Sequence, residues 1–185
     1  MRNIELLSPS GDMERLKLAV KFGADAIYVG GTMFGMRTNP SNFDADQLKE
    51  AVEFVHKNNK KIYLTCNTLP RNNEIDVLPD YLRYVSSIGV DALIIADMGV
   101  LSLAKKYAPD TDIHISTQAG IVNYQSANAF YEMGASRIVT ARELSLDEIK
   151  TIRDKANPNL EIEVFVHGAM CMSFSGRCIL SDYMG

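Results

Sequence analysis

The sequence is poor in the features that would send a chain through a membrane or onto a polyanion. Its opening residues Met1-Arg2-Asn3-Ile4-Glu5-Leu6-Leu7 have neither the basic flank nor the apolar run of an export signal, and no window reaches the length of a membrane span. A soluble, cytoplasmic protein without a membrane partner is expected. Cysteine is scarce, and three of them without an export signal read as reduced thiols or metal ligands rather than a disulfide framework. A basic excess is also missing. The formal charge of −4 and pI near 5.4 give no broad basic surface for nucleic-acid phosphates. No low-complexity tract argues for disorder. With 185 residues and 46% hydrophobic content, the chain can bury one sizeable core, so residues 1–185 are expected to form a single domain.

Several catalytic signatures are lacking as well. There is no His-Glu-x-x-His zinc helix and no Gly-x-Ser-x-Gly nucleophile elbow. Gly30-Gly31-Thr32-Met33-Phe34-Gly35 has the outline of a phosphate loop, but no Lys-Ser/Thr follows it. Ser8-Pro9-Ser10-Gly11-Asp12 offers one glycine where a dinucleotide fingerprint needs several.

What is present is a regular alternation. Apolar or β-branched runs predict strands at Ile4–Leu7, Ala26–Val29, Lys61–Thr65, Ala92–Ile95, Asp112–Ser116, Arg137–Val139 and Glu161–Val166, and a helix follows each of the first six. Ser10 or Asp12 and Asp44 are placed as N-caps, and Ser145-Leu146-Asp147-Glu148 reads as a capping box. Phe22-Gly23-Ala24-Asp25, Ile88-Gly89-Val90-Asp91 and Met133-Gly134-Ala135-Ser136 each place a glycine just past a helix and just before a strand. Repeated βα units without a dinucleotide fingerprint favour a (β/α)8 barrel over an open doubly wound sheet. A closed barrel needs eight strands and about 250 residues. Seven strand signals therefore predict an incomplete barrel.

In such barrels chemistry sits at the C-terminal ends of the strands, which here carry Ser8, Asn67, Asp97, Ser116 with Gln118, Arg142 with Glu143, and His167. Asp97 either caps the helix Met98–Tyr107 or serves catalysis. Arg142-Glu143 is an anion clamp with its orienting partner, or an ion pair at a helix start. His167 is placed to act as acid, base or metal ligand. His114 is expected to pack inside the barrel and His56 to be solvated on a helix. No strand end carries a lysine, which sets aside Schiff-base lyase chemistry. Cys171 and Cys178, with six residues between them on one glycine-rich loop, can reach a common metal or cluster; the alternative is two small buried hydrophobes. Cys66 is expected to pack.

The segment from Glu163 to Ser181 is the densest in chemistry. It reads Glu-x-Phe-x-x-Gly-Ala-hydrophobic-Cys, four residues, then Gly-x-Cys-x-hydrophobic-Ser. This pattern resembles the signature of the U32 peptidase family, the collagenase-like proteases and related RNA and quinone-precursor hydroxylation proteins. Arg37, Asn39 and Asn42 resemble the arginine-and-asparagine segment of the same family; in their own right they are a bidentate carboxylate clamp or a surface loop.

The resemblance implies that full-length members are longer, so this chain is expected to be an N-terminal fragment, inactive alone. It offers an oxygen-independent hydroxylase of tRNA or rRNA bases with a [4Fe–4S] cluster, in which Cys171 and Cys178 are ligands and the remaining ligands lie beyond Gly185. Prephenate is implied as a possible co-substrate, which Arg37 or Arg142 would clamp. In that reading His167, Glu143 and Asp97 are the catalytic candidates, and Arg37, Asn67, Gln118 and Arg142 the substrate-binding ones. A peptidase acting on a peptide substrate is the second reading and a non-catalytic partner subunit the third. Unpaired edge strands lead us to expect self-association of the fragment.

Overall fold

The computed structural model describes residues 4–35, 42–168 and 173–175. Seven strands form one parallel sheet in sequence order: β1 Leu7–Ser10, β2 Ala26–Gly30, β3 Lys61–Cys66, β4 Ala92–Ile95, β5 Asp112–Ile115, β6 Arg137–Val139 and β7 Glu161–Glu163. The connecting helices are α1 Met13–Lys21, α2 Ala45–Lys57, α3 Asn72–Ile75, α4 Leu78–Ser87, α5 Met98–Tyr107, α6 Tyr124–Glu132 and α7 Leu146–Lys155.

The helices begin where short polar side chains can accept from orphan N–H groups. Asp12 accepts from the Arg15 amide at 2.8 Å, so Asp12 and not Ser10 caps α1. Asp44 and Gln47 form a reciprocal box at α2, and Ser145 and Glu148 another at α7. Gly23, Gly89 and Gly134 all have positive φ, at 97°, 86° and 103°, which turns the chain from helix to strand each time.

Alternation along each strand sorts side chains to two faces. Ile27, Val29, Ile62, Leu64, Leu93, Ile95, Ile113, Ile115 and Ile138 are buried in the main core, together with Leu48, Ala51, Val52 and Val55, the helix-spaced inner stripe of α2. Residues of the opposite phase, Ala26, Tyr63, Ala92 and Ile94 with Leu7 and Tyr28, form a separate small cluster. That cluster lies on the concave side of a curled sheet. In a flat sheet β1 and β6 would stand about 24 Å apart. Yet Arg137, at the start of β6, contacts Glu5, just ahead of β1, at 2.7 Å. The sheet is thus an incomplete (β/α) barrel, as its alternating pattern predicts.

Two strands sit differently from the sequence expectation. The first is Leu7–Ser10 rather than Ile4–Leu7, because its ladder to β2 begins at Leu7↔Ala26. Ser8 therefore lies inside the strand, and Pro9 is tolerated because β1 is an edge. The seventh ends at Glu163 rather than Val166, since β6 offers only Arg137, Ile138 and Val139 as partners. Among the described residues, no helix is long and apolar enough to cross a membrane.

Candidate active site

At the C-terminal ends of the strands, four of the candidate residues converge in two groups. Ser116 closes β5 and is buried; its Oγ accepts from the Gln118 amide at 3.3 Å and from Asn67 Nδ2 at 3.4 Å. Asn67, following β3, and Gln118, on the 3-10 turn Thr117–Ala119, are thereby brought to one hydroxyl. The second group hangs on Ser175. Its amide donates to Glu143 Oε1 at 2.8 Å and its hydroxyl to the same oxygen at 3.3 Å, while the Arg142 amide donates to Ser175 Oγ at 3.3 Å. The backbone carbonyl of Ser175 also lies 3.3 Å from where a Cβ on Gly120 would stand, at a left-handed φ of 65°. Residues after β5 and β6 thus meet at Ser175.

Glu143 is anchored rather than poised for proton transfer near neutrality. Partial desolvation raises its pKa, but hydrogen bonds from Ser175 and the neighbouring Arg142 charge outweigh this and hold the carboxyl below the usual range. The Arg142 guanidinium sits over the Phe165 ring at 4.5 Å from its centroid. His167 is exposed at the same rim. Asp97 Oδ1 accepts from the amides of Gly99 and Val100 at 2.8 and 3.0 Å, so the capping reading of this residue holds. Arg37, Asn39, Cys171 and Cys178 lie outside the described residues. Asn42 reaches back to the Gly31 carbonyl at 3.1 Å. Gly31 itself is required by a close approach, since a Cβ there would stand 2.8 Å from the Tyr81 hydroxyl.

The remaining candidates fall elsewhere. Cys66 is fully buried in the main core, and burial pushes its thiol up to about 12. His114 is buried, stacks edge-on against Tyr63 at 4.6 Å, and is held neutral by desolvation and the Arg137 and Lys61 charges, with a pKa near 3. His56 is exposed on α2, as expected, and also meets Asp91 at 2.9 Å.

The N-terminal mouth of the barrel holds a feature the sequence reading missed. Arg137, 9% exposed, binds Glu5 at 2.7 Å, Glu161 at 2.6 Å and Glu163 at 3.4 Å, and lies over the Tyr63 ring, whose hydroxyl donates to Glu5. A cavity of about 490 Å³ opens beside it, lined in part by Lys61, Tyr63, Asp91 and His114. The signal available in the sequence was Glu161-Ile162-Glu163, whose alternation puts both carboxylates on one face. This mouth is the end that barrels use for stability, opposite the rim that carries chemistry.

The fold is that of a parallel βα barrel, with the candidate groups at the C-terminal strand ends. The chain belongs to peptidase family U32, whose model matches residues 11–185. It is 46% identical over 182 residues to tRNA hydroxylation protein P of Helicobacter pylori (strain ATCC 700392 / 26695), covering 98% of this chain and 43% of that protein. It is 40% identical over 178 residues to the 23S rRNA 5-hydroxycytidine C2501 synthase of Escherichia coli (strain K12), covering 96% of this chain and 26% of that one. The chain therefore spans less than half the length of these relatives. Among solved structures, the U32 peptidase Mk0906 superposes with a TM-score of 0.78 at 19% identity, covering 99% of this chain and 75% of that one, a likeness of fold.

Proposed function

We propose that this chain is the N-terminal barrel of a cytoplasmic enzyme that hydroxylates bases of RNA. The observation that carries the reading is its identity, over almost all of its length, to a tRNA hydroxylation protein and an rRNA hydroxycytidine synthase. The rim groups support it. Asn67, whose side-chain amide meets Ser116, and Gln118, whose backbone amide does, both carry side-chain amides of the kind that pair with the edge of a base. Arg142 and Arg37 are the candidates to clamp a carboxylate co-substrate, for which prephenate is the proposal. His167 and Glu143 are the candidate acid–base groups of the rim, with Asp97 at another strand end. The net charge of −4 assigns most phosphate contacts to sequence outside this chain.

An iron–sulfur cluster would supply the redox chemistry, with Cys171 and Cys178 as soft thiolate ligands. The described residues contain no group of three or more His, Cys, Asp or Glu that would hold a metal. Cys66 packs in the main core and is not assigned as a ligand. The other ligands are accordingly assigned to sequence outside this chain. Anaerobic purification of the longer protein, with iron and sulfide analysis, tests this: Cys171→Ser and Cys178→Ser should each lose iron. Unchanged iron in both variants would overturn the assignment.

The family's name favours peptidase activity as a second reading, with His167 and Cys171 as base and nucleophile. Casein and gelatin should stay intact in the presence of the chain. Cleavage abolished by His167→Ala would favour the peptidase.

A further inference from the structure

Immediately beyond β7, Val164, Phe165 and Val166 are 38%, 42% and 85% exposed. They leave the ladder because β6 has no further residue to pair with them. They lie at the open edge of the incomplete barrel, and of the three it is Phe165 that has a defined partner. The Phe165 ring is also not loose: the Arg142 guanidinium lies 4.5 Å from its centroid, and the Arg142 backbone is bonded to Ser175, which Glu143 holds in turn. A half-exposed phenyl ring backed by a planar cation on a fixed strand end is a stacking platform. The face of the ring that Arg142 leaves open is suited to the face of a nucleobase.

We propose that Phe165, backed by Arg142, is the stacking platform for one unpaired base of the RNA substrate, held beside His167, two residues along the chain. The inference rests on the RNA reading given above and adds to it the side chain that carries an extruded base. Enzymes that act on a base must take it out of its stack, and an aromatic face repays part of that cost. Stacking needs an aromatic ring and not merely an apolar volume, so tyrosine is expected to substitute for Phe165 and leucine is not.

The probe is a single-stranded cytidine hexamer, compared with the same hexamer carrying an abasic centre, with the affinity of the longer protein that contains this chain measured by fluorescence anisotropy. The wild type should prefer the intact hexamer by about tenfold, since a stacked base contributes on the order of 1–3 kcal/mol. Phe165→Leu should erase that preference, and Phe165→Tyr should keep it, with thermal melts confirming folded variants. Equal affinity of the wild type for both hexamers overturns the inference without touching the RNA reading, and this comparison needs no variant to fold. A preference unchanged in Phe165→Leu overturns it too. Failure of the wild type to bind either hexamer overturns the RNA reading and the platform with it.

Discussion

At the scale of single residues, Arg137 carries the most concentrated electrostatics in the molecule. Burial opposes its charge, but hydrogen bonds to Glu5 and Glu161 and the Glu5 carboxylate hold the guanidinium more firmly protonated than usual. Replacing it by methionine would leave Glu5 and Glu163 facing a low-dielectric interior without a cation. Arg137→Met should therefore destabilise the chain by about 3 kcal/mol, read from urea unfolding, because breaking a buried pair costs more than the pair contributes. The Glu163 pKa is raised as well, which for a carboxyl disfavours the charged form. Desolvation first, and then the Glu5 and Glu161 charges, raise its pKa against the pull of Arg137, because three carboxylates share one guanidinium. A carboxyl whose folded pKa is raised loses stability as pH climbs from the unfolded value through the folded one. Glu163→Gln should accordingly raise the melting temperature at pH 8, and the advantage should fade as the pH falls toward the ordinary carboxylate range.

At the scale of elements, the rim depends on how helices start and stop. Asp97 positions α5 through two backbone donors, so Asp97→Ala should lower stability by about 1 kcal/mol and Asp97→Asn by much less. Chemical denaturation checks this, and an assay of the base hydroxylation proposed for the longer protein checks whether Asp97 does more than cap: activity retained in Asp97→Asn confines it to the helix. Gly134 shows the complementary constraint. With φ of 103° and Lys105 Nζ 2.9 Å from the place of a Cβ, Gly134→Ala should cost about 1 kcal/mol, a loss the flexible lysine tip only partly relieves.

At the scale of the whole molecule, the sheet runs from β1 to β7 without a described strand pairing their outer sides. Each edge presents unpaired backbone donors and acceptors. Pro9 blunts one of them, and the exposed Leu18 and Phe22 add apolar surface beside it. We expect the isolated chain to associate at tens of micromolar, with a two-fold dimer the simplest closed arrangement. Light scattering that returns a monomeric mass at that concentration would show the edges to be protected.

The sequence alone determined the βα alternation, six of the seven strand starts, the caps at Asp44 and Ser145, and the three glycine stops, and it left Asp97 open between cap and catalyst. Each of these rests on neighbours within a few residues, where periodicity and capping chemistry act. The family was legible as well, because its signature lies in one continuous stretch from Glu163 to Ser181. Tertiary structure decided the rest. The position of β1 was fixed by its ladder to Ala26, against the pull of Ile4-Glu5-Leu6-Leu7. Asn67 met Gln118 on Ser116, and Glu143 met Ser175, because separate strands deliver them to one rim. Glu5 reached Arg137 across 132 residues only because the sheet curls, a long-range closure that no local pattern encodes.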